Sequence, residues 1–179
     1  MIKRVSGLLT ILIVVSASLA AQNKYIGTKM CAPCHRTEKQ GKQMEIWQKS
    51  KHAEAYKALT TAEADKIAKS KGSDKPAAET AACLECHVTQ ADAKLVEKTF
   101  NKQDGVQCET CHGAGSAFKS IPVMKDHAKS VAAGMTEFKD EAAIEAKCKT
   151  CHNEKSPTFK GFKFGEYWSK IKHPVPKAG

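Results

Sequence analysis

The sequence has few of the large apolar side chains from which protein cores are built. Phe, Tyr and Trp together number 11 of 179 residues, and the apolar–polar alternation typical of β-strands is weak throughout. After the N-terminal segment, no stretch is apolar enough to span a membrane. No nucleophile with an acid–base partner is evident, and no nucleic-acid recognition motif appears. These absences argue against a β-rich domain, a nucleic-acid-binding protein and an enzyme that uses a side-chain nucleophile.

One pentapeptide is present four times and uses all eight cysteines. Its copies are Cys31-Ala-Pro-Cys34-His35, Cys83-Leu-Glu-Cys86-His87, Cys108-Glu-Thr-Cys111-His112 and Cys148-Lys-Thr-Cys151-His152. On a helical turn, residues i and i+3 share a face, so two thiols can add to the two vinyl groups of one porphyrin. The histidine at i+4 can then donate a ring nitrogen to iron. The motif therefore predicts four covalently attached c-type haems.

Disulfides and zinc are the alternatives for these cysteines. Eight cysteines could form four disulfides or two zinc sites of four thiolates each. Neither alternative needs a histidine directly after the second cysteine of each pair, and cysteines three residues apart rarely pair stably. A thioredoxin-like redox motif occurs once per domain rather than four times. The cysteine pattern favours haem.

The fold class follows from the same reasoning. Four porphyrins would supply the apolar surface that the side chains lack, so we expect the haem-free chain not to fold. We predict a mainly α fold with extensive irregular chain, compact and organised around four haems. Helices are predicted at 36–59 with a bend near Gly41, at 61–71 after a capping box of Thr60 and Glu63, at 136–147 and at 164–172.

The N-terminus has the pattern of an export signal. Lys3 and Arg4 precede an apolar run over 5–21, and Ser18-Leu19-Ala20 offers the small residues that a signal peptidase requires. We predict a signal peptide at 1–20, with an uncleaved anchor as the alternative, and a single tetrahaem domain at 21–179. The predicted location is the periplasm, with tethering to the inner membrane only if the segment stays uncut.

The formal net charge is +10, and removal of Lys3 and Arg4 would leave +8. Haem propionates would offset roughly 4 to 8 of these charges. The lysines therefore read mainly as a solvated surface, and docking of an acidic redox protein is a weaker interpretation. The predicted partners are an electron donor and an electron acceptor, without nucleic acid.

Three histidines lie outside the motifs. The seven candidate iron ligands are His35, His52, His87, His112, His127, His152 and His173. Four of them belong to the motifs, so His52, His127 and His173 can fill three of four distal positions. The count predicts three six-coordinate haems and one with an open or unusual sixth position. Methionines compete for these positions: Met124 and Met135 could replace His127, while Met30 and Met44 adjoin the first motif.

Segments around the motifs carry a further pattern. They are Trp47 with Ser50-Lys51-His52-Ala53-Glu54-Ala55, Cys86-His87-Val88, the segment 105–115 around the third motif, Ser156-Pro157, and Phe162-Lys163-Phe164 with His173 after the next helix. Together with the four motifs in order, they resemble the tetrahaem cytochrome c-554 family. The resemblance covers nearly the whole chain after residue 20.

This resemblance implies a helical fold with haems packed as close pairs and a role in electron relay from hydroxylamine oxidation. It implies that the second haem, on His87, is five-coordinate. It also implies that His127 serves the first haem, with His52 and His173 serving the third and fourth.

Two functions follow from the sequence. A periplasmic electron relay, from nitrogen-compound oxidation or in another respiratory chain, is favoured because no polar catalytic groups can be assigned around a haem. The alternative is an enzyme that reduces nitric oxide, nitrite or hydroxylamine at the open haem on His87.

Overall fold

The computed structural model describes residues 22–174, so the predicted signal peptide lies outside the described residues. Within them, ten short α-helices of four to nine residues alternate with loops and 3-10 turns. They are α1 Thr28–His35, α2 Gln43–Gln48, α3 Ala55–Ala58, α4 Ala62–Ser70, α5 Ala81–His87, α6 Cys108–His112, α7 Ile121–Met124, α8 His127–Ala132, α9 Glu141–Lys149 and α10 Phe164–Ile171.

Extended pairing is minimal in the described part of the chain. Tyr25 and Val96 form an isolated parallel bridge, and residues 22–174 contain no strand. None of the helices in this range has the length and apolar character needed to cross a bilayer. The predicted fold class, mainly α with extensive irregular chain, is confirmed.

The helix predicted over 36–59 is divided into shorter elements, and the first break lies at the bend predicted near Gly41. Gly41 has φ 88° and Lys42 has φ 51°, so the backbone enters the left-handed region and helical hydrogen bonding stops. A Cβ on Gly41 would lie 3.1 Å from the carbonyl oxygen of Pro174, which leaves little space there for any other residue. The segment becomes a 3-10 turn, α2, a run of turns that holds His52, and α3.

Helix caps differ from the prediction by one to a few residues. Thr61, rather than Thr60, caps α4: its hydroxyl accepts a hydrogen bond from the Ala64 N–H at 3.2 Å. The predicted helix over 136–147 instead begins after Asp140, whose carboxylate accepts from the Ala143 N–H at 2.8 Å. The helix predicted at 164–172 is present as α10.

Side chains alone form a thin core. The described chain has one small cluster of buried apolar residues, in which Leu59, Ala68 and Ala77 pack together. The remaining buried apolar residues are Ile26, Ala32, Met44, Val88 and Phe118. Alanines make up three of these eight residues, so little apolar surface is removed from water by the chain itself.

Candidate haem-binding site

Each pentapeptide lies on a helical turn with its histidine at the C-terminal end. The first and second motifs close α1 and α5, and the third motif is α6 itself. The fourth motif runs past the end of α9 and keeps a helical turn, in which the His152 N–H donates to the Cys148 carbonyl at 3.0 Å. All eight thiols are free of disulfide bonds. This is the local geometry that attachment of one porphyrin to two thiols requires.

A backbone hydrogen bond orients the His87 ring. Its Nδ1 lies 2.8 Å from the carbonyl oxygen of Ala55. A carbonyl oxygen only accepts hydrogen bonds, so Nδ1 is the donor and Nε2 is the ring nitrogen that would bind iron. Ligating histidines are commonly oriented in this way by a hydrogen bond from the other ring nitrogen.

Two of the spare histidines face motif histidines. The ring centres of His52 and His152 are 6.1 Å apart, and those of His112 and His173 are 5.8 Å apart. A metal–nitrogen bond is about 2.0 Å and an imidazole nitrogen is about 1 Å from its ring centre, so two rings on one metal have centres about 6 Å apart. Both pairs therefore fit the two axial positions of one iron.

The distal histidines of the third and fourth motifs are exchanged relative to what the family resemblance implies. His52 lies beside the fourth motif and His173 lies beside the third. The backbone of His52 is hydrogen-bonded to the loop before α6, but its ring faces His152 of the fourth motif.

Burial keeps these imidazoles neutral. Burial lowers the pKa of His52, with a smaller contribution from the neighbouring His152. Burial also lowers the pKa of His152 and His173, and it lowers that of His112 to about 4, assisted by His173 and His35. A neutral ring carries the lone pair that a metal accepts.

The backbone of His52 is fixed by the segment before the third motif. The His52 carbonyl accepts from the Val106 N–H at 3.0 Å. The Trp47 Nε1–H donates to the Val106 carbonyl at 2.8 Å. Gly105 has φ 76°, and a Cβ there would lie 2.5 Å from the His52 carbonyl oxygen. The glycine is thus required by the close approach of the chain that carries His52.

An aromatic group surrounds the fourth motif histidine. Phe162 stacks on the His152 ring with centres 4.8 Å apart, and Tyr167 of α10 lies 6.0 Å from the same ring. Phe162 and Tyr167 also contact each other at 5.2 Å. Phe162 and Tyr167 thus give the fourth site an apolar wall.

Neighbouring thiols relate the motifs to one another. Cys108 of the third motif, together with burial, raises the pKa of Cys31 in the first. Burial raises the pKa of Cys111, Lys147 opposes this, and Cys148 and Cys151 of the fourth motif add to it. Burial and the neighbouring Cys151 raise the pKa of Cys86, in the second motif, to about 11. The first motif is thus a neighbour of the third, the third of the fourth, and the fourth of the second.

Two buried polar residues join the third motif to the first, and sequence reasoning did not assign them a role. The Gln107 side-chain oxygen accepts from the Thr28 N–H at 3.0 Å. Glu109, inside the third motif, accepts from the N–H groups of Ile26 and Gly27. These bonds satisfy backbone donors at the start of α1, which has no side-chain cap of its own. The sequence signal that could have pointed to Glu109 is its position, as a charged residue between two haem-attachment cysteines.

The third spare histidine has a different environment. The His127 Nε2 lies 2.8 Å from a carboxylate oxygen of Glu137, and 67% of its side chain is exposed. The structure places it at the first residue of α8. This helix is tied to the N-terminal segment by a hydrogen bond of 2.7 Å from the Asn23 amide to the Ala133 carbonyl. His127 is therefore not brought face to face with a motif histidine, whereas His52 and His173 are.

Comparison with known proteins points to one family. A family model described as cytochrome c554 and c-prime matches residues 30–113, which include the first three motifs. Cytochrome c-554 of Nitrosomonas europaea is 32% identical over 159 residues, which cover 82% of this chain and 65% of that protein. No solved structure matches the chain. Both matches are to cytochrome c-554 proteins, which supports covalently bound haem c as the cofactor of this chain, and the chain spans somewhat less than two thirds of the length of the curated relative.

Proposed function

We propose that this chain is a periplasmic cytochrome with four covalent haems that relays electrons between redox protein partners. The observation that supports the proposal is the presence of two histidine pairs, each spaced to hold one iron. Haem supplies a one-electron iron couple. Two imidazoles per iron keep the coordination unchanged on electron transfer, so little structural rearrangement opposes it. The export-like N-terminal sequence supports the location.

The proposed ligands follow from the geometry and the histidine count. Each motif histidine supplies one axial ligand. His52 supplies the second at the fourth site and His173 the second at the third site, since their rings face those motifs. His127 is left for the first site, and the second site, on His87, has no spare histidine. We propose the oxidation of hydroxylamine or another nitrogen compound, or another respiratory chain, as the source of electrons.

Three measurements on the purified holoprotein test the relay. Mass spectrometry of the denatured chain should detect four covalent haems, and a redox titration should resolve four one-electron steps. Electron paramagnetic resonance of the oxidised protein should give three low-spin irons and one high-spin iron. Fewer than four haems, or a spectrum that is wholly low-spin, would contradict the proposed ligand set.

The second candidate function is reduction of a small nitrogen oxide or hydroxylamine at the second haem. The observation that favours it is the His87 ring, which is held by Ala55 with Nε2 free, while the two paired spare histidines face other motifs. Nitric oxide added to the holoprotein should change the high-spin signal if the open position is accessible. Turnover of nitric oxide, nitrite or hydroxylamine with a chemical reductant then distinguishes an enzyme from a relay with an accessible iron.

A further inference from the structure

Glu109 is a buried carboxylate with no role in haem attachment. It occupies the second position of the third motif, next to Cys108, and only 3% of it is exposed. A charged residue is seldom buried to this extent unless other groups stabilise the charge. Within residues 22–174, no salt bridge reaches Glu109. What stabilises its charge must therefore be sought in its hydrogen bonds.

Backbone N–H groups surround both carboxylate oxygens. Oε1 accepts from Ile26 at 2.9 Å and from Gly115 at 2.8 Å. Oε2 accepts from Gly27 at 2.8 Å and, more weakly, from Ile26 at 3.2 Å. Every partner is a backbone N–H donor, so both oxygens act only as hydrogen-bond acceptors.

The space around the carboxylate is closely fitted. A Cβ on Gly115 would lie 3.2 Å from Glu109 Oε1 and 2.9 Å from the Ile26 side chain. Gly115 therefore packs directly against the carboxylate and Ile26, with no space for a larger residue. The charge of Glu109 has a fixed position, with little surrounding water to screen it.

This fixed charge lies between the first and third haem-attachment sites. Glu109 follows Cys108 directly, and its partners Ile26 and Gly27 open the helix that carries Cys31, whose Sγ is 3.9 Å from the Gly27 carbonyl. Cys108 is also close enough to Cys31 to be the main cause of the raised pKa of the Cys31 thiol. The negative charge of Glu109 also contributes to raising the pKa of Cys31, after the hydrogen bond to Cys108 and burial.

We propose that Glu109 sets the reduction potentials of the first and third haems, an inference that rests on the proposed four-haem relay. A negative charge favours the more positive, oxidised iron, so it lowers the reduction potential of a nearby haem. A unit charge about 10 Å from an iron, at an effective dielectric constant of about 20, changes a one-electron equilibrium by roughly an order of magnitude. Glu109 acts on the haems through its field and is a positioning residue rather than a ligand.

The test is a spectroelectrochemical titration of the holoprotein with the variant E109Q. The neutral amide should raise two of the four midpoint potentials. The expected change is about tenfold in each one-electron oxidation equilibrium, which corresponds to about 59 mV. The matched control is E85Q, because Glu85 also lies within a motif but is exposed, so water and salt should screen its charge. That control should change each equilibrium less than twofold.

The variant E109D separates charge from structure. Aspartate keeps the negative charge but is one methylene shorter. It should lower the stability of the protein while changing each one-electron oxidation equilibrium by less than twofold relative to wild type. Potentials in E109D that rise as far as those in E109Q would assign the effect to structure and overturn the proposal. Four unchanged midpoints in E109Q would overturn it as well.

The count of haems keeps this inference distinct from the relay. A wild-type protein with fewer than four haems contradicts the relay, whereas four haems with unchanged midpoints in E109Q contradict only the role of Glu109. If E109Q fails to incorporate haem, redox-difference infrared spectra of protein labelled with ¹³C in glutamate decide the matter. Wild type should give an ionised carboxylate band that shifts on reduction and is missing from E109D. The absence of such a band would overturn the proposal.

Discussion

Substitution of Gly105 by alanine should disturb the proposed distal ligand of the fourth haem from a distance. Gly105 has φ 76° and ψ −141°, a region of backbone space that is essentially reserved for glycine. The new Cβ would lie 2.5 Å from the His52 carbonyl oxygen, so about 0.9 Å of movement is needed to reach an ordinary contact of 3.4 Å. Because the atom it meets is backbone, the whole turn that carries His52 has to shift.

The magnitude can be worked from two contributions. A non-glycine residue in this region costs about 1–3 kcal/mol. Loss of the hydrogen bond from the Val106 N–H to the His52 carbonyl, now 3.0 Å long, costs about 1 kcal/mol more. We expect G105A to lower the free energy of unfolding by about 2–4 kcal/mol and to weaken ligation by His52.

Gly72 supplies the matched control. It also has a positive φ, 86°, but a Cβ there would meet nothing within 4 Å. G72A should cost about 1 kcal/mol and leave His52 in place. Denaturant titrations followed by haem absorbance compare the stabilities, and electron paramagnetic resonance counts high-spin irons. G105A should add one high-spin iron and G72A none; equal stabilities together with unchanged spin states would refute the reasoning.

Three further outcomes are expected. H173A should convert one low-spin iron to high-spin, because the His173 ring faces His112 at 5.8 Å; a spectrum identical to wild type would remove His173 from the ligand set. T61A should cost about 1 kcal/mol in a thermal or denaturant titration, since the Thr61 hydroxyl caps α4, whereas T60A should cost clearly less, and the reverse ranking would contradict the cap. Haem-free protein should give a far-ultraviolet circular dichroism spectrum with little helix, because the side-chain core is thin; a native-like helical spectrum would contradict this.

Local features of the site could be predicted from sequence because their causes are local. The thiols and histidine of each motif lie within one helical turn, and every motif adopts that turn. Helix α10 begins where predicted and ends within one residue of the prediction, since its apolar pattern and the following Pro174 act over a few residues.

Features that depend on distant contacts could not be predicted. Composition predicts a helix over 36–59 with a bend near Gly41, but not the full break of the helix there, where Pro174 approaches from the far end of the sequence. The positions of His52 and His173 likewise depend on which loops pack together, so their number can be read from the sequence but their partners cannot. Glu109 belongs to the same class, because two of its three donor residues, Ile26 and Gly27, lie more than 80 residues away along the chain.

The spatial order of the motifs bears on how a relay and a reactive site could share one small protein. The neighbouring thiol pairs Cys31–Cys108, Cys111–Cys148 and Cys86–Cys151 put the first and second motifs at opposite ends of a series. The site that we propose to be open, on His87, is therefore terminal, and a ligand bound there would leave the path through the other three intact. Glu109 lies at the other end, where its charge would favour loss of electrons from the first and third haems. The fourth and second sites would then have the higher reduction potentials. Electrons that enter at the first haem would therefore move toward the open haem with a favourable change in free energy.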